Sequence, residues 1–257
     1  LGSIYSPINW NITSEYLDEN LSKMGYKSAP EQLKLVIKAI HSMGKTVGFD
    51  FVNHTDKFSE INFLHPDYFE WVKLNDDRTK ELQYPNVIKN EIHIEVIEKI
   101  KDFLREKGDF YGNKIDDEVI ENLYKDESYE ILFGNNEPLF ERCNRRVELL
   151  NYIRSFKFEL LPVSEYSPSR PIVFDKIVYD NGIDWAEFVV PNKYKNSSVF
   201  NSLTPYKWYN VDNEGYPVKN SYNEKAWQYY IKNTVSIQEE FELDFIRVDM
   251  GHNQTSH

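Results

Sequence analysis

Two short segments, far apart in the sequence, combine acidic, basic and imidazole side chains in patterns that suit nucleophilic or acid–base chemistry. The first is Asp50-Phe51-Val52-Asn53-His54, and the second is Arg247-Val248-Asp249, followed by His252. Successive side chains of a strand point to opposite faces, so Arg247 and Asp249 are expected on the same face. A positive charge nearby favours the ionised form of a carboxylate. An ionised and fixed carboxylate is what a carboxylate nucleophile requires.

Each segment taken alone also has a structural explanation. Asp50 at a strand end can accept hydrogen bonds from a loop, and His54 can be a buried histidine with its own partners. Arg247 and Asp249 can form an ordinary ion pair. The two segments together, each at the end of an apolar strand, are more specific than either one.

The strands and helices that position these residues can be predicted from the spacing of apolar residues along the sequence. Residues 1–8, 46–52 and 243–248 are predicted strands, and residues 226–241 are a predicted helix. Another helix is predicted from Pro30, which suits a first turn, to Gly44, which suits a helix end. Strand, helix and strand with short joints predict a βαβ unit, whose strands pair in parallel.

The intervening region does not continue this rhythm. Helices are predicted over 91–107, 116–132 and 139–156, and a hairpin over 172–179 and 185–190 around Asp180-Asn181-Gly182. The prediction is therefore an α/β fold, a parallel barrel with a subdomain inserted after one strand. In such barrels the working residues lie at the carboxyl ends of the strands.

Composition narrows the function classes. The chain of 257 residues carries a net charge of −12, which argues against a nucleic-acid partner, whereas a neutral substrate is compatible with it. No apolar run is long enough to span a membrane. The 18 Tyr, 16 Phe and 5 Trp residues supply stacking surfaces as well as core. One cysteine excludes an internal disulfide, and a cytoplasmic location is slightly favoured.

The motifs resemble those of the α-amylase superfamily, glycoside hydrolase family 13. Ile4-Tyr5-Ser6-Pro7-Ile8 is similar to the second barrel strand of that family, and Asp50–His54 and Arg247–Asp249 to its first two signature regions. The resemblance implies strands 2–4 of a TIM (β/α)8 barrel within residues 1–60 and 220–257. Residues 61–219 then occupy the place of the inserted domain B.

The resemblance also implies a role for each motif residue. It makes Asp249 the catalytic nucleophile and Arg247 the residue that orients it. His252 departs from the commonest pattern, because it follows the nucleophile by three residues instead of four. The resemblance also implies residues that contact the sugar at the cleavage site, namely Asp50, His54, His252 and Tyr16. It implies Asn53 as a ligand of a possible structural calcium ion. No other cofactor is implied.

The implied activity is that of a retaining α-glycosidase or an α-glucan transglycosylase acting on α-glucans or oligosaccharides. The family's acid/base glutamate lies on the strand after Asp249, farther than the eight residues that follow it here. We therefore expect residues 1–257 to be part of a longer chain and inactive alone. Two alternatives stay open: a non-catalytic, amylase-like binding or transport-associated protein, and an unrelated barrel enzyme with a metal bound by Asp50, His54 and Asp249.

Overall fold

The computed structural model describes residues 7–69, 71–73, 91–108, 114–124, 132–133, 139–160, 173–180, 183–189, 203–211 and 217–248. Within these residues the fold mixes helices and strands, as predicted. The chain divides into two compact units: unit 1 comprises residues 1–8, 54–226 and 256–257, and unit 2 comprises residues 9–53 and 227–255. The domain boundaries at residues 60 and 219 stay a prediction.

Helices and strands are numbered separately, each in chain order. The helices are α1 (Glu19–Lys23), α2 (Ala29–Ser42), α3 (Glu60–Leu64), α4 (Ile92–Lys107), α5 (Asp117–Asn122), α6 (Leu139–Ser155) and α7 (Glu224–Phe241). The strands are β1 (Gly48–Phe51), β2 (His54–Asp56), β3 (Trp71–Lys73), β4 (Phe158–Leu160), β5 (Val173–Asp180), β6 (Ile183–Val189), β7 (Leu203–Pro205), β8 (Tyr209–Val211), β9 (Pro217–Tyr222) and β10 (Phe245–Val248).

Helix α2 begins and ends where local sequence signals place it. Ser28 is the N-cap, and it exchanges hydrogen bonds with Glu31 in a capping box, which satisfies backbone N–H groups of the first turn. Pro30 occupies the first turn, where the N–H that proline lacks would have no helical partner. Gly44 follows the helix with φ of 71°, a conformation that glycine adopts without steric cost. The predicted helix is confirmed.

Unit 2 contains a two-stranded parallel sheet formed by β1 and β10, so the predicted strands at 46–52 and 243–248 are confirmed. Gly48 lies opposite Phe245, and Asp50 lies opposite Arg247. The predicted first strand falls mostly outside the described residues, which begin at residue 7. The structure therefore shows a parallel pair with helices, and the predicted partial barrel of strands 2–4 remains a proposal.

The core of unit 2 packs helices against one face of this pair. Ile37 of α2, Phe241 of α7 and Leu243 are buried together, and Phe49 of β1 packs against them. Phe51 points the same way as Phe49, since side chains alternate along a strand, and its ring stacks on Trp10 at 6.0 Å between centroids. This face of β1 is what anchors the sheet to the helices.

On the opposite face of the pair, the ring of Phe245 lies close to Gly48. A Cβ atom added to Gly48 would overlap that ring. The ring, which is 52% exposed, thus covers backbone that has no side chain of its own. An aromatic side chain over a strand glycine is a known means of stabilising such a position.

Unit 1 is built around α4 and α6 and several antiparallel strand pairs. Strands β2 and β7 pair, as do β3 and β4, β5 and β6, and β8 and β9. In the β5–β6 hairpin Asp180 lies opposite Ile183, so the predicted hairpin is confirmed, with its second strand beginning at Ile183 and not at residue 185. Of the helix predicted over 116–132, α5 covers Asp117–Asn122, and residues 125–131 lie outside the described residues.

A membrane-spanning helix needs both length and apolar character. Among the described residues no helix has both.

We predict that Gly48→Ala destabilises unit 2 by about 1 kcal/mol, because the new methyl group displaces the ring of Phe245. The same change in a Phe245→Ala background is expected to be neutral or stabilising, since alanine reduces the backbone entropy of the unfolded chain relative to glycine. Denaturant unfolding of the four proteins measures both effects. An equal cost of Gly48→Ala in both backgrounds would contradict this account.

A second prediction concerns Asp244, which joins α2 to the start of β10. Its carboxylate accepts hydrogen bonds from the Val47 backbone N–H at 2.7 Å and the His41 ring at 2.9 Å. The Val47 N–H, and then His41, hold the pKa of Asp244 below its usual range. A carboxyl group with a lowered pKa in the folded state stabilises above its unfolded pKa, and that contribution disappears as pH falls through the folded value.

Asp244→Asn should therefore make stability less dependent on pH in the acidic range. Thermal unfolding followed between about pH 5 and pH 2 tests this. Glu239→Gln is the matched control, since it removes a carboxylate from α7 near Asp244 in sequence. Identical pH profiles for wild type and Asp244→Asn would refute the assignment.

Candidate functional site

The predicted site residues Asp50 and Arg247 lie side by side on the parallel strands β1 and β10. They occupy the same register position, and Arg247 Nη1 donates a hydrogen bond to Asp50 Oδ2. The two segments are 197 residues apart in sequence. Strand pairing thus brings one residue of each motif, Asp50 and Arg247, into contact.

The pair projects from the face of the sheet opposite the one on which α2 and α7 pack, and within the described residues its side chains are open to solvent. Phe49 and Phe51 point towards the core, so alternation places Asp50 on the other face, with Gly48. The side chains of Asp50 and Arg247 are 41% and 62% exposed. Parallel sheets are usually covered on both faces. A polar, open face on such a sheet, with a carboxylate and a guanidinium fixed together, is a candidate binding surface.

Asn53 and His54 lie just beyond the end of β1, and both are buried. His54 begins β2, where it lies opposite Pro205 of β7. His54 belongs to unit 1, whereas Asp50, Asn53 and Arg247 belong to unit 2. Asp249 and His252 fall outside the described residues, so their predicted roles stay predictions.

Tyr16 ends a 3-10 helix, Ser14–Tyr16, in unit 2. Tyr16 is 76% exposed, similar to Phe140 of α6 at 71%. The structure thus places Tyr16 where a ligand can reach it. The ring has the shape and chemistry of a stacking surface for a sugar.

The site offers little to a metal ion within the described residues. No group of three or more histidine, cysteine, aspartate or glutamate side chains there is arranged to hold one. Calcium takes about six to eight oxygen ligands, and the predicted ligand Asn53 is buried with polar interactions of its own.

A second group of charged residues, which the sequence analysis missed, lies buried in unit 1. Lys57 Nζ contacts Glu159 Oε1 at 2.9 Å, and Arg154 Nε contacts Glu159 Oε2 at 2.9 Å. Burial lowers the pKa of Lys57, although Glu159 opposes that effect. The paired geometry indicates a structural role, fastening the turn after β2 to β4.

Glu60 is the centre of a similar arrangement. It accepts hydrogen bonds from Arg142 Nη2 at 2.6 Å and from Arg146 Nη1 at 3.3 Å. Burial raises the pKa of the nearby Asp56 carboxyl, against the opposing hydrogen bond from the Phe58 N–H. The sequence carries no signal of this burial, because a polar run such as His54 to Glu60 directly after an apolar strand is typical of an exposed loop.

Comparison with known proteins adds no relationship. The chain matches no family model, and it matches none of the curated proteins. We therefore infer function from the residues and their geometry.

We predict that the Asp50–Arg247 ion pair contributes little to stability. Exposed ion pairs typically give coupling energies of about 0.2–1 kcal/mol. A double-mutant cycle with Asp50→Ala and Arg247→Ala, measured by denaturant unfolding, should fall in that range.

The matched control is the Lys34–Glu240 pair of the same unit, whose atoms lie 3.1 Å apart at comparable exposure. A coupling energy for Asp50–Arg247 several times that of Lys34–Glu240 would show that the pair is a structural anchor instead of an exposed site.

Proposed function

We propose that the chain carries the nucleophile side of a retaining α-glycosidase or α-glucan transglycosylase site of the α-amylase type. The single observation that carries the proposal is the placement of Asp50 beside Arg247 on the open face of two adjacent parallel strands. In a (β/α)8 barrel, working residues collect at the carboxyl ends of such strands. Strands β1 and β10 would be two neighbours in that barrel, with the helices on its outer side.

Arg247 suits the orienting role because of its chemistry. A guanidinium has five N–H donors in a rigid plane, so it can hold more than one carboxylate at a time. One donor of Arg247 is already directed at Asp50. In the proposal another holds Asp249, two residues along the chain, and its positive charge keeps that carboxylate ionised.

The proposed reaction has two steps. An oxygen of Asp249 attacks the anomeric carbon of an α-linked sugar, while an acid protonates the leaving oxygen, and a glycosyl ester forms. Water or a second sugar hydroxyl then attacks the same carbon and releases Asp249, which gives hydrolysis or transfer with retained configuration. The acid/base group is assigned to none of the residues described above.

The other predicted residues bind the substrate. Asp50 accepts hydrogen bonds from sugar hydroxyls, and His252 donates to them. Tyr16 stacks on a sugar face. The net charge of −12 is compatible with a neutral oligosaccharide.

Covalent trapping tests the nucleophile directly. With 5-fluoro-α-glucosyl fluoride, fluoride leaves without help from an acid, and the ring fluorine slows the second step. We predict that the 257-residue chain gains one fluoroglucosyl group, as an ester on Asp249, detected by mass spectrometry of the intact protein and its peptides. The bond formed joins Asp249 to the anomeric carbon, and the carbon–fluorine bond breaks.

Two variants control this experiment. Asp249→Asn should remain unlabelled, whereas Asp117→Asn, which alters an exposed carboxylate of α5, should be labelled like wild type. A label on another residue would overturn the nucleophile assignment. Binding of maltoheptaose without any label would favour the non-catalytic, amylase-like binding protein.

A further inference from the structure

A buried glutamine of α2 uses its side-chain amide to hold the loop that precedes the helix. Gln32 is 5% exposed. Its Oε1 accepts a hydrogen bond from the Asp18 backbone N–H at 2.8 Å, and its Nε2 donates to the Asp18 carbonyl at 3.0 Å. Nε2 also contacts the Tyr26 carbonyl at 3.0 Å and Ser22 Oγ at 3.1 Å. One side chain thus fixes three points of the loop.

Asp18 is the point held most firmly. Gln32 binds both its N–H and its carbonyl, in the way that a neighbouring strand would. The Asp18 carboxylate in turn caps α1 by accepting hydrogen bonds from the N–H groups of Asn20 and Leu21, at 2.8 and 2.9 Å. The backbone at Asp18 is therefore anchored to α2 on one side and to α1 on the other.

Tyr16 lies two residues before this anchor. The short helix that it ends is closed by the Leu17 N–H, which donates to the Ser14 carbonyl at 3.1 Å, and it is capped by Thr13. The ring of Tyr16 is exposed although its backbone is fixed at both ends. A fixed backbone with an exposed aromatic ring is suited to stacking on a ligand, because less freedom is lost on binding.

We propose that Gln32 is a positioning residue for oligosaccharide binding and that it acts, through Asp18, on the ring of Tyr16. This inference rests on the proposed function, which supplies the ligand. Gln32 touches no ligand itself. An apolar residue at this position would leave the polar backbone groups of Asp18 and Tyr26 without their partner, so the loop would loosen.

The test compares Gln32→Met, Tyr16→Ala and the double variant with wild type, by calorimetric titration with maltoheptaose. Methionine keeps the length of the side chain but forms none of the hydrogen bonds. Each single variant should bind about threefold to tenfold more weakly, the cost of ordering one side chain and its loop on binding. The double variant should bind no more weakly than Tyr16→Ala. Gln238→Met, a glutamine of α7, should bind like wild type.

A measurement without ligand separates this inference from the proposed function. With 3-fluorotyrosine at position 16, wild type should give one narrow ¹⁹F resonance, and Gln32→Met should shift it towards the position seen in unfolded protein. If Gln32→Met does not fold, Gln32→Glu replaces it, since glutamate keeps the acceptor for the Asp18 N–H and loses the donors.

Unchanged affinity in Gln32→Met, or the same loss of affinity in the presence and absence of Tyr16, would overturn the inference while leaving the proposed function standing. An unchanged ¹⁹F resonance in Gln32→Met would also overturn it. If wild type fails to bind maltoheptaose, the proposed function fails, and the positioning role falls with it.

Discussion

The parallel backbone pairing of β1 with β10 is the constraint on which unit 2 and its candidate site depend. It joins positions 197 residues apart, and the entropy cost of closing such a loop grows only slowly with its length. Buried side chains of α2 and α7 offset that cost by packing behind the strands. At the start of the pair, the Asp244 N–H donates to the Val47 carbonyl at 2.9 Å. Without this pairing Asp50 and Arg247 would not lie side by side.

Among the described residues, the ion pairs include buried ones and exposed ones. Lys57 and Glu60 are buried and held by partners at close distances, so removing one partner would leave a buried charge uncompensated. Asp50 and Arg247 are open to solvent, where an ion pair adds little stability. Asp50 and Arg247 thus differ from the buried pairs in their exposure, and in the proposal their fixed register serves a ligand.

Local signals in the sequence were sufficient to predict α2 and the two paired strands β1 and β10. The capping pattern of Ser28 and Glu31, and the glycine at 44, determine the helix ends through contacts within a few residues. The apolar runs at 46–52 and 243–248 were enough to predict strands. The register between the two strands could not be predicted in this way, because it depends on packing between distant segments. From the sequence, Asp249 was the expected partner of Arg247, and nothing indicated Asp50 in that role.

Other features were beyond sequence reasoning for the same physical reason. The helical pattern over 116–132 continued past Asn122, where α5 ends, since periodicity alone does not show where packing ceases to support a helix. Gln32 looked like an ordinary polar residue of an amphipathic helix. Its role depends on backbone groups of a loop that only the fold brings to it. The residues that hold such a loop in place could therefore not be predicted from the sequence.

A crystal structure of the 257-residue chain with a bound maltooligosaccharide tests the central claim most directly. The account predicts a glucose ring on the open face of β1 and β10, with a hydroxyl within hydrogen-bond distance of Asp50 and the anomeric carbon facing Asp249. A sugar bound elsewhere, or a metal ion coordinated by Asp50 in place of the sugar, would contradict it.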